Sequence, residues 1–234
     1  MLAEGRRLTI ALFDNIAWHA LTGDQAHFAA GRGPTRRYAR GFSPIVGFED
    51  PSNPDFDALR ALVEPDEPFY CDGWNGTSPP DFRIEVDTTM YKMFYAGEMP
   101  AADEAPGAVA LGPAHLAQAL ELVDLTHPGP FGPRTIELGD YFGILEGERL
   151  VAMAGERFRA GTLHEISGVC THPGHQGRGH ARRLMRKLIL RQMMRGSTPV
   201  LHVMRDNAVA RDLYQRMGFR IHAESPVRRA LRIG

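Results

Sequence analysis

A chain of 234 residues, 43% apolar and 24% charged, is long enough to bury a core as one large domain or two small ones. No stretch approaches the roughly 18 apolar residues of a membrane span, and Met1 to Thr22 mixes charged and apolar residues unlike a signal peptide, so a soluble cytoplasmic protein without membrane contact is expected. Cys71 and Cys170, the only cysteines, exclude a disulfide framework. The net charge of −1 hides an asymmetry: residues 178 to 234 hold 14 Arg and Lys against Asp206, Asp212 and Glu224, whereas the preceding residues are strongly acidic. A basic end of this kind serves a nucleic acid, an anionic cofactor, or the acidic remainder of the same chain.

In chain order, "DNIAWHALTG" and "DFDALRALV" have helical spacing, while "SPIVGF", "PFYCDG" and "FRIEVDTTMYKMFYAG" alternate as strands. "GEMPAADEAPGA" (Gly97 to Ala108) has no apolar periodicity and is rich in Pro, Ala and acids. It divides the chain into an N-terminal lobe, 1–98, a linker, 99–106, and a second domain, 107–234. There "AVALG" is a short strand, and "PAHLAQALELVDLT" a helix opened by Pro113. "DYFGILEGERLVAMAGERF" is a hairpin about Gly147, and "TLHEISGVCTHP" a fourth strand. From Gly179, residues Ala181, Leu184, Met185, Leu188, Ile189 and Met193 share one helical face. "PVLHVM" is a strand, "DNAVARDLYQRM" a helix, and "GFRIHAE" and "VRRALRI" two closing strands.

The stretch "HPGHQGRGHARR", His172 to Arg183, sets Gly174, Gly177 and Gly179 between a strand and a helix. Glycine permits close backbone approach, and the first helical turn offers unpaired N–H groups and partial positive charge, which suits a phosphate. The glycine spacing is not that of a dinucleotide fold, and no Gly-Lys-Ser/Thr is present for a nucleoside triphosphate loop. His164, Cys170, His172, His175 and His180 lack a recurrent ligand spacing, so no metal site is expected. Nucleic-acid stacking motifs and a recognition helix are also missing, which argues against a nucleic-acid partner.

"EISGVCTHPGHQGRGHARRLM" followed by "LHVMRDNAVARDLYQRMGF" resembles the Gcn5-related N-acetyltransferase (GNAT) superfamily over about residues 107–224, with its Q/R-x-x-G-x-G/A signature at Gln176-Gly177-Arg178-Gly179-His180-Ala181. The whole chain, with "WHALTG" near its start, is similar to the branch of glycine N-acyltransferases, in which a degenerate GNAT-like half precedes the catalytic one. The resemblance implies an α/β (α+β) fold: a mixed, mostly antiparallel sheet flanked by helices. It also implies an acyl-CoA-dependent N-acyltransferase, with acetyl-CoA as donor and a small amine or amino acid as acceptor.

By the same resemblance Gln176 to Ala181 bind the cofactor, with its pyrophosphate on the backbone of Gly177 to Ala181, and the pantetheine arm runs along the edge of Val169, Cys170 and Thr171. The N–H of Val169 faces the thioester oxygen, Asn207 bonds the pantetheine, and Tyr214 protonates the departing sulfur. Glu165, eleven positions before Gln176, stands where several members carry the glutamate that deprotonates the amine. Trp18, Tyr70, Trp74, Tyr91 and Phe94 are candidates to wall the acceptor cleft. A protein or peptide acceptor, or a non-catalytic acyl-CoA sensor, remains open.

Overall fold

The long alternating runs of the sequence become the centre of the sheet. The computed structural model describes residues 10–234, so the first nine residues, part of the stretch read for a signal peptide, lie outside it. The strands are β1 (Ala29–Ala30), β2 (Thr35–Tyr38), β3 (Ile45–Phe48), β4 (Pro68–Asp72), β5 (Phe82–Tyr95), β6 (Val109–Ala110), β7 (Tyr141–Glu146), β8 (Arg149–Ala160), β9 (Leu163–Thr171), β10 (Thr198–Met204) and β11 (Phe219–Arg232). The helices are α1 (Ile16–Thr22), α2 (Phe56–Arg60), α3 (Leu116–Thr126), α4 (His180–Met194) and α5 (Ala208–Met217). All eleven strands join one sheet in the order β1-β2-β3-β4-β11-β5-β10-β9-β8-β7-β6. The pairs β3/β4 and β9/β10 are parallel and the remainder antiparallel, a mixed α/β fold with helices packed against the sheet.

The order contains an internal correspondence. In the first half, antiparallel β2 and β3 lead through α2 into parallel β4 and then β5; in the second, antiparallel β8 and β9 lead through α4 into parallel β10 and, after α5, β11. Each half sends its last strand to the other: β5 pairs with β10, β11 pairs with β4, and the two lie side by side at the centre. The expected spans 1–98 and 107–234 are thereby interlocked. Those spans share one ladder, because pairing of the long strands satisfies backbone groups that neither half would satisfy alone.

The segment expected to be a linker is also pinned. Asp103 accepts from Lys187, and Glu104 from both Arg182 and Arg186 of α4. Asp140 binds Arg191 and Arg195, and Glu146 binds Arg178. Much of the basic end thus meets the acidic remainder of its own chain rather than standing free for a polyanion.

Two corrections concern strands. The closing "GFRIHAE" and "VRRALRI" are one 14-residue strand, not two. Pro226 is tolerated within it because its carbonyl accepts from Gly73 just past the end of β4, so its missing N–H falls where the ladder has ended. The hairpin β1–β2 has no clear sequence signal: "TRRY" looks polar, yet Arg37 is buried, its charge met by Glu67 at 2.6 Å and by the carbonyl of Leu62 at 2.7 Å.

Four apolar clusters hold the layers. The largest sets Leu184, Met185, Leu188 and Ile189 of α4, with Tyr214 and Met217 of α5, against Ile166, Leu201, Val203 and Phe219 of the sheet. On the other side Phe13, Ile16, Ala17, Ala20 and Leu21 pack α1 and its preceding turn on Tyr38, Phe158, Leu163 and Val200. Helices therefore cover both faces around the junction of β9 and β10, and there the sheet opens.

Candidate active site

Parallel pairing of β9 and β10 runs only from Leu163–Thr198 to Glu165–Val200. Beyond it β10 pairs with β5 alone and β9 with β8 alone, so the strands part and leave a free edge on β9 from Ile166 onward. A cavity fills the gap, lined among others by Glu165, Gly168, Val169, His202 and Tyr214.

The free edge is reshaped by a bulge. Against β8, Met153 pairs with Cys170 and Gly155 with Ser167, so Gly168 and Val169 on β9 together oppose Ala154 alone. Gly168 has φ +62°, a left-handed conformation that glycine takes at low cost, and it turns the following peptide out of the ladder. The N–H of His172 points to Val151 on β8, so by strand alternation Thr171 directs its backbone groups to the groove. The side chain of Cys170 is buried on the opposite side with Leu111, Ala119 and Met153, and burial pushes its thiol up to about 11. Among these three residues the groove is offered backbone, and the Cys170 thiol takes no part.

At the mouth of the groove the chain leaves β9 through a short turn, Pro173–His175, and enters α4. Gly177 and Gly179 have φ +77° and +76°, and a Cβ on either would meet nothing within 4 Å. The backbone conformation demands glycine, and the space beyond it is open over the first N–H groups of α4, which helix geometry leaves without intrahelical partners. Donors and the helix dipole aim at one place, an anion cradle. Arg178 and His175 lean on Glu146 at 2.8 and 3.2 Å. His180 is buried at the helix start with Nδ1 against Arg183 at 2.9 Å; burial first, then Arg183, holds its pKa down, so its ring stays neutral.

Glu165 sits where the strands part, but it is not a free base. Its side chain is 1% exposed, and Arg157 grips both oxygens, Nε–Oε2 at 2.9 Å and Nη2–Oε1 at 2.7 Å. The N–H of Phe158 adds a 3.3 Å contact, and Nδ1 of His202 lies 2.6 Å from Oε1. Burial pushes the carboxyl up, but Arg157 and then His202 more than reverse this and hold it at about 2. A carboxylate so bound has little basicity and no direction left in which to take a proton. The expectation that Glu165 deprotonates the amine is therefore corrected: its partners have already used its lone pairs.

His202 is the residue that sequence reading missed. It lies on β10 two residues beyond Val200, the last to pair with β9, and its side chain is 8% exposed. With Nδ1 committed to Glu165, Nε2 is buried without a hydrogen-bond partner among the described residues, and the residue lines the cavity. Phe13 and Phe158 meet its ring edge-on at 5.3 and 6.4 Å.

Tyr214, on α5, lines the same cavity, and burial raises its phenol to about 12, so it keeps its proton at neutral pH. Asn207 caps α5: Oδ1 accepts from the N–H of Ala210 at 3.1 Å, which leaves its amide N–H groups outward. Of the five aromatic residues proposed as a cleft wall only Tyr70 lines the cavity. Trp74 is fully buried in a separate core, Trp18 lies under Arg36, and Tyr91 and Phe94 pack on core clusters.

The free edge of β9 at Val169 to Thr171 and the glycine turn opening a helix lie where the GNAT resemblance expects them. The model of the FR47-like protein family matches residues 141–227, from β7 into β11. Among solved structures, a candidate acetyltransferase of the GNAT family from Novosphingobium aromaticivorans DSM 12444 is 31% identical, with 94% of this chain and 98% of that one covered and a TM-score of 0.85. A GCN5-related N-acetyltransferase-like protein from Streptococcus suis 89/1591 (17% identity, 98% and 100% covered, TM-score 0.59) and a GCN5-related N-acetyltransferase from Kribbella flavida (14%, 97% and 95%, 0.52) share the fold. No curated protein sequence matches. The chain belongs to the GNAT family.

Proposed function

We propose that the protein is an acyl-CoA-dependent N-acyltransferase that moves acetyl from acetyl-CoA to a primary amine of a small molecule or amino acid by direct attack in a ternary complex. The observation that carries this reading is the cavity at the parting of β9 and β10, which the Val169 bulge and Tyr214 line together. The donor fits what is present: the open space over Gly177 and Gly179 takes the pyrophosphate, and the unpaired edge of β9 takes the amides of the pantetheine arm. The N–H of Val169 donates to the thioester oxygen as negative charge develops there. Tyr214 gives its proton to the departing sulfur, and Asn207 steadies the arm through its free amide N–H groups.

A small acceptor is favoured because the cavity extends beyond the parting strands to residues of β4, β5 and β11. Asp72, Val86, Thr88, Met90 and Val227 line it on one side and Pro128 to Pro130 on another. The resemblance to glycine N-acyltransferases is supported by the exchange of last strands between two similar halves. Calorimetry with acetyl-CoA, followed by a free-thiol assay over a panel of amines, tests the reading. Binding without CoA release from any amine would make the protein a sensor, and release with peptide amines alone would make it a protein acetyltransferase.

A further inference from the structure

The proton that the amine must lose has no acceptor once Glu165 is spoken for, and the cavity holds one group suited to it. We propose that His202 takes that proton through Nε2, and that Glu165, itself fixed by Arg157, is the positioning residue that turns Nε2 toward the amine. The proposal rests on the acyltransferase reading above and assigns its missing base.

Three observations converge. The carboxylate of Glu165 can only accept, so the 2.6 Å contact at Nδ1 requires a proton there, and neutral His202 carries its lone pair on Nε2. That nitrogen is buried and unpartnered in a side chain 8% exposed, whereas a merely structural histidine is expected to satisfy both ring nitrogens. The cavity that His202 lines is the one shared by Val169 and Tyr214, so the base, the oxyanion donor and the acid surround one space.

The other charged groups near His202 are occupied. Lys92, opposite it on β5, is held by Asp72 at 2.6 Å and by the carbonyls of Phe13 and Asp14. Arg157 on β8 faces Glu165, and His222 on β11, stacked on the ring of Phe13, binds Asp14 at 2.7 Å. None of them has a free acceptor directed at the amine.

The step balances. Nε2 first takes a proton from the ammonium form of the acceptor, giving an imidazolium paired with the Glu165 carboxylate, and the neutral amine nitrogen then forms a bond to the thioester carbon. The C–S bond then breaks, the sulfur receives the Tyr214 proton, the second N–H proton of the adduct restores the phenol, and the imidazolium gives its proton to solvent. The products are one amide and one free thiol.

The experiment compares the intact protein with His202→Gln and His202→Ala, using acetyl-CoA and the fastest amine of a primary-amine panel in single turnovers across pH. Acetyl-CoA affinity should stay within about threefold, while the rate at neutral pH falls about 100-fold or more, the usual scale of general-base assistance. The rate of both variants should instead rise with pH in step with the neutral fraction of the amine, and added imidazole should restore part of the rate to His202→Ala only. A weakly basic amine, already neutral, should lose far less than a strongly basic one. A histidine needed only for packing would cost both amines equally and leave the shape of the pH profile unchanged, and that outcome overturns the proposal. Nitrogen-15 spectra of the unliganded wild type add a reading independent of any acceptor: a proton on Nε2 rather than Nδ1 at neutral pH overturns it as well. Acetyl-CoA bound with no amine acetylated by the wild type would instead refute acyl transfer itself, and the proposal would fall with it.

Discussion

Glu165→Gln separates a structural charge from a chemical one. Glu165 lies 1% exposed between Arg157 and His202, and Arg157 is itself buried. Glutamine keeps the shape, but one of its terminal atoms becomes an N–H donor directed at a guanidinium or imidazole that is also a donor. Arg157 then remains buried without its counter-ion, for which about 3–5 kcal/mol of lost stability is the expected scale. The pH dependence gives a second measure. The carboxyl is held at about 2 against an ordinary 4.5, so the unfolded chain binds the proton first as pH falls. Its stabilisation is complete above about pH 4.5, is lost progressively below it, and is gone near pH 2. A depression of this size corresponds to about 3 kcal/mol, in line with the ion-pair figure. Urea denaturation of wild type and variant at pH 7, 4.5 and 3 would show the gap narrowing as the medium becomes acidic. A difference below about 1 kcal/mol at pH 7, with the same acid slope in both proteins, would refute the claim that Glu165 is a fully engaged carboxylate.

Other substitutions read the rest of the site. Gly179→Val puts a branched side chain into the open space over the start of α4 at φ +76°. It should cost about 1–2 kcal/mol of stability and weaken acetyl-CoA binding at least tenfold in calorimetry; unchanged affinity in a folded variant would move the pyrophosphate elsewhere. Tyr214→Phe should bind acetyl-CoA normally and turn over about 100 to 10,000 times more slowly when chemistry limits the rate, and a single-turnover rate equal to wild type would place the acid on another group. Gly168→Val should undo the bulge, since a branched residue resists φ +62° and its Cβ would stand 3.2 Å from the Tyr141 ring. The expected result is a lower kcat with little change in acetyl-CoA affinity, and a kcat matching wild type would count against the Val169 N–H as oxyanion donor.

Much of the fold was legible because its strong elements obey local rules. The apolar stripe of α4, the alternation in β5 and the Gly147 hairpin turn need no tertiary partner to be recognised. The failures have a common cause in long-range pairing. Arg37 makes β2 look like a polar loop until Glu67, thirty residues on, neutralises it. Pro226 seems to end a strand until the end of β4 is seen beside it. The two-lobe division follows a real change in composition at Gly97 to Ala108, but no local signal tells that β5 leaves its own half to lie between β10 and β11.

The site divides along the same line. The anion cradle is contiguous, and its chemistry is backbone geometry, so glycines between a strand and a helix announce it. A base is a relation between residues far apart in sequence. Glu165 and His202 are 37 positions apart, and "LHVM" carries no mark beyond an ordinary strand. They meet because parallel pairing ends at Glu165–Val200, which leaves the next inward-facing residue of β10 beside the last paired residue of β9. At that point a side chain loses the neighbouring strand and gains a cavity. Glu165 lies on the paired side of the boundary, where Arg157 and the Phe158 N–H saturate it, and His202 lies on the open side, where only one of its two nitrogens is taken. The parting of the strands, which frees an edge of β9, is therefore also what separates a carboxylate with its lone pairs engaged from an imidazole with one nitrogen unpartnered.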